Sequence, residues 1–123
     1  MNRNQRRAEK KAAKKKRGAG TTDKIKQDFN IAFSLHQRGQ LDEAEAAYRK
    51  ILEIGGPRPS VFQNLGAIAL TRKNFEIAAS LFRQCIKINP AYTSAHINLG
   101  DVLEEQGQHE EAAACFARAI ALD

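Results

Sequence analysis

Asn30, Asn64 and Asn98 stand 34 residues apart from one to the next. A carboxamide carries both a donor and an acceptor, so it can pair in both directions with a peptide group whatever the neighbouring side chain. One such residue per 34 would form a ladder that tracks an extended chain. The competing use of the same residues is internal, bridging neighbouring helices of the scaffold. Nothing comparable exists for catalysis. His36, His96 and His109 are dispersed and read as groove or surface residues. Gly18-Ala19-Gly20 lacks the following Lys-Ser/Thr and the preceding strand that a phosphate loop needs. Glu104-Glu105 and Glu110-Glu111 are helix-surface pairs facing different directions, with no second carboxylate held across a cleft. Cys85 and Cys115 form no CxxC and read as small buried hydrophobes of a reducing compartment. The sequence therefore points to no enzyme, no cofactor and no metal site.

The elements that would position such a ladder follow from the same period. Shifting the chain by 34 superposes Ala44, Ala78 and Ala112, and likewise Tyr48, Phe82 and Phe116. Ile31, Leu65 and Leu99 follow the three asparagines, and Gly39 matches Gly107, with Lys73-Asn74 at the middle turn. Three copies run over 25–58, 59–92 and 93–123. Each reads as two helices. Phe62, Leu65, Gly66 and Ala69 fall on one helical face, as do Ala78, Phe82, Cys85 and Ile86. Gly39 and Gly107 are expected to end the first helix of their copies in the left-handed conformation, and Pro90 to end a second helix. Small residues at Gly66, Gly100, Ala78 and Ala112 are expected to let paired helices approach, with the aromatics filling the gap between neighbouring pairs.

This pattern, with Leu-Gly early, Ala and an aromatic later and Pro at the end, resembles the tetratricopeptide repeat over about 99 residues. Departures occur at Asp28, Phe62 and His96, at Leu35, Ala69 and Leu103, and at Gly56 in place of the terminal Pro. The resemblance implies an all-α solenoid of antiparallel helix pairs, about six helices in all, with a concave surface lined by the first helix of each pair. It also implies that this surface holds an extended peptide or partner segment. Its lining positions would be Lys26, Phe29, Asn30, Phe33, His36 and Gln37 in the first copy. The second copy supplies Ser60, Gln63, Asn64, Ala67, Leu70 and Thr71; the third supplies Ser94, Ile97, Asn98, Asp101, Glu104 and Glu105. The asparagine column looks like the ladder in the repeat region of O-linked N-acetylglucosamine transferases. Repeats that clamp the C-terminal carboxylate of chaperones use Lys and Asn, Asn, then Lys and Arg. Here those places hold Phe29 and Phe33, Asn64, then Ser94 and Asn98, so only Asn64 fits and no cation would compensate the carboxylate. The groove is graded, from an apolar platform at Phe29 and Phe33 to negative charge at Asp101, Glu104 and Glu105. A ligand is expected to carry an apolar residue near one end and Lys or Arg near the other. Alternatively Phe29 and Phe33 pack beneath the N-terminal segment.

Charge divides the chain. Residues 1–24 hold ten Lys/Arg against two acids, and residues 25–123 hold ten against twelve. The cations of the basic segment are Arg3, Arg6, Arg7, Lys10, Lys11, Lys14, Lys15, Lys16, Arg17 and Lys24. Without large apolar side chains after Met1 it offers no face for membrane insertion, and no apolar run in the chain is long enough to span a bilayer. Residues 1–24 are expected to be a flexible arm, at most fleetingly helical, with a joint at Gly18-Ala19-Gly20. Arg3 through Arg17 could hold RNA, DNA or an anionic surface through counterion release, blind to sequence because no aromatic interleaves the cations. An extended arm could also reach Asp101, Glu104 and Glu105 of its own groove.

Repeat arrays normally end in a polar capping helix. Residue 123 falls where the third copy would meet its Pro, so that copy reads as truncated and part of the Phe116 and Ile120 face is expected to be open to self-association or a partner. The sequence thus leads to a cytoplasmic, non-catalytic protein-interaction scaffold. The alternatives are a nucleic-acid-associated adaptor using the basic arm, and the targeting module of a longer transferase.

Overall fold

The computed structural model describes the backbone of residues 2–123 and the side chains of 2–7 and 20–123. Among these residues there are six α-helices and no strand: α1 (Arg3–Gln37), α2 (Leu41–Gly55), α3 (Pro59–Thr71), α4 (Phe75–Ile88), α5 (Thr93–Glu105) and α6 (His109–Leu122). The tightest associations are α1 with α2, α3 with α4 and α5 with α6, and the pairs join through α2–α3 and α4–α5. The result is a stack of antiparallel helix pairs, an all-α solenoid. Among the described residues no helix is long and apolar enough to cross a membrane.

The turns inside the pairs are chemically uniform. Gly39 (φ 77°), Lys73 (φ 59°) and Gly107 (φ 78°) each take the left-handed conformation. Each turn is closed by the same two bonds: Gly39 N to His36 O and Gln40 N to Leu35 O, Lys73 N to Leu70 O and Asn74 N to Ala69 O, Gly107 N to Glu104 O and Gln108 N to Leu103 O, all between 2.8 and 3.0 Å. These bonds use up carbonyls that the helix end would otherwise leave unpaired.

Packing within a pair depends on a missing side chain. A Cβ on Gly66 would lie 2.6 Å from Phe82 Cε1, and one on Gly100 2.6 Å from Phe116 Cε1. The aromatics therefore lie on the glycine of their own pair, rather than bridging neighbouring pairs as the sequence had suggested. A helix surface without a Cβ is the place where a flat ring can touch backbone.

The helix α1 runs over 35 residues, Arg3–Gln37. It opens with a capping box, in which Gln5 N donates to Asn2 Oδ1 (2.8 Å) and Asn2 N to Gln5 Oε1 (3.1 Å). Ala, Lys, Arg and Gln are good helix formers, while each Gly costs only about 1 kcal/mol. The packed half of α1, which begins at Ile25, supplies the nucleus from which the helix propagates.

A candidate peptide-binding groove

Asn30, Asn64 and Asn98 lie on the first helices of the pairs, α1, α3 and α5. Asn30 is exposed and Asn64 and Asn98 are half-buried. Among the described residues none of the three carboxamides hydrogen-bonds to another protein group. Internal bridging is thus not their use in this structure.

At one end, the Phe29 and Phe33 rings lie parallel with centroids 6.4 Å apart (8° between planes). Phe29 also meets Tyr48 edge-on at 5.8 Å. Phe29 is half-buried by these contacts, whereas Phe33 keeps 42% of its surface exposed. Only Phe33 is a free apolar platform. Beneath it Tyr48 is fully buried, its hydroxyl 3.5 Å from His36 Nδ1, and burial pushes its pKa up to about 12. At the other end, Asp101, Glu104 and Glu105 are exposed and line an open hollow with Leu70, Lys73 and Phe75. His109 Nδ1 lies 3.3 Å from Glu104 Oε2, and the Lys73 cation, which borders the same hollow, partly answers the negative charge.

Other residues singled out by type have structural places. His96 is buried, its Nε2 2.8 Å from the Pro90 carbonyl, where it ties α5 to the preceding loop; it is neither groove nor surface. Cys85 is fully buried, and desolvation pushes its thiol up to about 11. Cys115 is half-buried and its thiol is also raised, by desolvation first and then Glu111, with Arg83 opposing. Arg3, Arg6 and Arg7 are exposed on α1; Lys10, Lys11, Lys14, Lys15, Lys16 and Arg17 lie outside the described side chains. Arg58, which the helical positions did not bring forward because it sits in the α2–α3 connection, turns out to line the groove beside Lys26, Asn30 and Ser60.

The two ends of the stack carry apolar residues. Leu65 and Leu99 are 2% and 5% exposed against the preceding pair, while Ile31, at the same position of the first copy, is 57% exposed. Ile120 on α6 is 76% exposed.

A stack of antiparallel helix pairs defines a helical-repeat module of the protein-interaction kind. Two family models, both described as tetratricopeptide repeat, match residues 30–55 and 64–123, and the chain belongs to the tetratricopeptide repeat family. It is similar to the heat shock protein STI1 of Saccharomyces cerevisiae, 29% identical over 104 residues that cover 84% of this chain and 17% of that one. Human tetratricopeptide repeat protein 7B is 29% identical over 70% of this chain and 10% of its own length. The chain thus spans less than a fifth of either relative. Among solved structures, a mutant O-GlcNAc transferase of Thermobaculum terrenum matches with a TM-score of 0.78 and 27% identity, over 83% of this chain and 20% of that chain. The second repeat domain of Spaghetti (RPAP3), bound to an HSP90 peptide, shares the fold with a TM-score of 0.78 at 18% identity, over 85% and 99% of the two chains.

Proposed function

We propose that the chain is a non-catalytic, cytoplasmic interaction scaffold whose concave groove holds an extended peptide segment through Asn30, Asn64 and Asn98. The observation that carries this reading is that the three carboxamides recur in register and bond to nothing in the scaffold. The similarity to a transferase repeat region supports it, and also supports the narrower reading of a targeting module. The ligand extends from an apolar residue on Phe33 to a cation at Asp101, Glu104 and Glu105. A chaperone-tail clamp is disfavoured, because Phe29 and Phe33 stand where it would need polar and cationic groups.

The test is selection of binding peptides from a random displayed library, followed by fluorescence anisotropy on the intact chain and the Asn30/Asn64/Asn98→Ala triple variant. A hydrogen bond contributes about 1 kcal/mol net, so losing three should weaken binding roughly a hundredfold. The amide contacts are insensitive to salt and only the cation at Asp101, Glu104 and Glu105 is screened, so groove binding should weaken modestly, whereas binding to RNA or DNA through the many α1 cations falls steeply with salt. Unchanged affinity in the triple variant, or capture only of nucleic acid released by salt, would overturn the groove reading.

The exposed end faces favour self-association as a second activity. Arg72 of the second copy bridges to Asp42 and Glu45 of the first. Continued by the 34-residue register, the equivalent Arg38 of a second molecule would meet Glu110 while its Ile31 covers the α6 face. In sedimentation velocity, Arg38→Glu or Glu110→Arg alone should weaken association and the paired swap restore it. A chain that stays monomeric at every concentration refutes this.

A further inference from the structure

We infer that the junction between the first two repeats contains an anion site, fitted to a carboxylate or phosphoryl group on a groove ligand. The inference takes the groove as the ligand face but not the asparagine ladder as its reader. Lys26 and Asn30 lie on successive turns of α1, Arg58 immediately precedes α3, and Ser60 is its second residue; with Ile25 and Phe29 they line a hollow of about 300 Å³. Both formal charges among the lining residues are positive. Arg58 Nε is buried and makes no hydrogen bond to the protein. Guanidinium is always charged and presents its donors in a fixed fork, so Arg58 brings to this hollow a cation whose Nε–H has no acceptor in the scaffold. The start of α3 adds to it: no side chain caps that end, which leaves first-turn N–H groups and the positive end of the helix dipole beside Ser60.

The position of Arg58 is specifically accommodated. A Cβ on Gly55 would lie 3.0 Å from both Nε and Nη2 of Arg58 and 2.7 Å from Ile25 Cδ1. Gly55 therefore keeps clear the volume in which the guanidinium rests. The second junction serves as an internal control, because the repeat places Pro59, Ser60, Gln63, Asn64, Tyr92 and Ser94 at the corresponding positions, and Asn89 at that of Gly55. None of these is a cation, yet the second and third pairs stack through α4 and α5. The fold does not require Lys26 and Arg58 to be basic, and a ligand group of opposite charge does.

The experiment is NMR titration of the full ¹⁵N-labelled chain with inorganic phosphate and, separately, with acetate at matched ionic strength. The Arg58 Nε–H and the Ser60 and Val61 amides should shift and saturate. Arg58→Gln should weaken binding about tenfold, the factor expected when a charge-assisted pair is lost. Gly55→Ala should weaken it too, with net charge unchanged, provided circular dichroism shows native helix. Lys87→Gln, an exposed cation on α4, should have no effect. Saturation by acetate alone identifies a carboxylate ligand, and by phosphate alone a phosphoryl one. Shifts that never saturate, or that Lys87→Gln reduces as much as Arg58→Gln, overturn the site. Because no peptide is used, that failure leaves the ladder test untouched.

Discussion

Replacing Gly66 by alanine puts the packing argument at risk most directly. The new Cβ would lie 2.6, 2.8 and 2.9 Å from Cε1, Cδ1 and Cζ of Phe82. Carbon atoms in comfortable contact are about 3.5–4.0 Å apart, so the ring must retreat by roughly 1 Å. Phe82 is fully buried and has nowhere empty to go. Overpacking of this kind costs about 1–3 kcal/mol, against which alanine recovers about 1 kcal/mol of helix propensity over glycine. The net expectation is a loss of about 1 kcal/mol, or roughly 4–8 °C in Tm for a domain of this size. Gly100→Ala is the matched comparison. Its Cβ would meet Phe116 at the same 2.6 Å, but Phe116 is only half-buried and can swing outward. The two effects should therefore cancel there to within about 0.5 kcal/mol. Urea denaturation followed by far-UV circular dichroism measures both, and the Gly66→Ala penalty should shrink in a Phe82→Leu background, since the two residues touch. If Gly66→Ala stabilises the chain by about 1 kcal/mol, as it would on an unobstructed helix, the ring does not rest on the glycine and the account of pair packing fails.

Two further outcomes follow from the turns and the buried acids. Lys73 holds a φ of 59° where the other two copies have glycine, so Lys73→Gly should be neutral to stabilising by up to about 1 kcal/mol in the same urea experiment. On the alkaline side, burial raises Cys85 from 9.0 to about 11 and Tyr48 from 10.0 to about 12. The unfolded chain ionises first, so stability holds up to about pH 9, falls toward pH 11 for Cys85, and falls from pH 10 toward pH 12 for Tyr48. Tm measured across that range should drop less steeply above pH 10 in Tyr48→Phe; an identical slope would mean that Tyr48 is not shielded.

What the sequence displayed was whatever depends on neighbours a few residues away, repeated. The left-handed turns at Gly39 and Gly107, the glycines at Gly66 and Gly100 and the apolar column through Leu65 and Leu99 recur in phase. Any one of them alone would be ambiguous, and the period removes the ambiguity. Features decided by distant partners were not visible. His96 looks like a groove or surface histidine until the Pro90 carbonyl is seen 2.8 Å away. Continuity of α1 through Gly18–Gly20 sets helix propensity against charge repulsion, and composition does not say which wins. Arg58 falls between helices, where no period marks it, and only its buried Nε draws it out.

The three copies also separate what a groove reads from what a fold needs. A residue that the fold requires should recur with the same contacts, as Ala44, Ala78 and Ala112 do, all fully buried. The asparagine column recurs without any such contact, and its members range from exposed to half-buried. Under the proposed reading, repetition without a scaffold role serves a partner that presents the same group at each repeat. The neighbouring position behaves oppositely. It holds Phe29, Gln63 and Ile97, three chemistries at one place in the register, and the Gln63 Oε1 is buried without a partner. A constant column beside a varied one is the arrangement expected if the first grips the ligand's backbone and the second distinguishes its side chains.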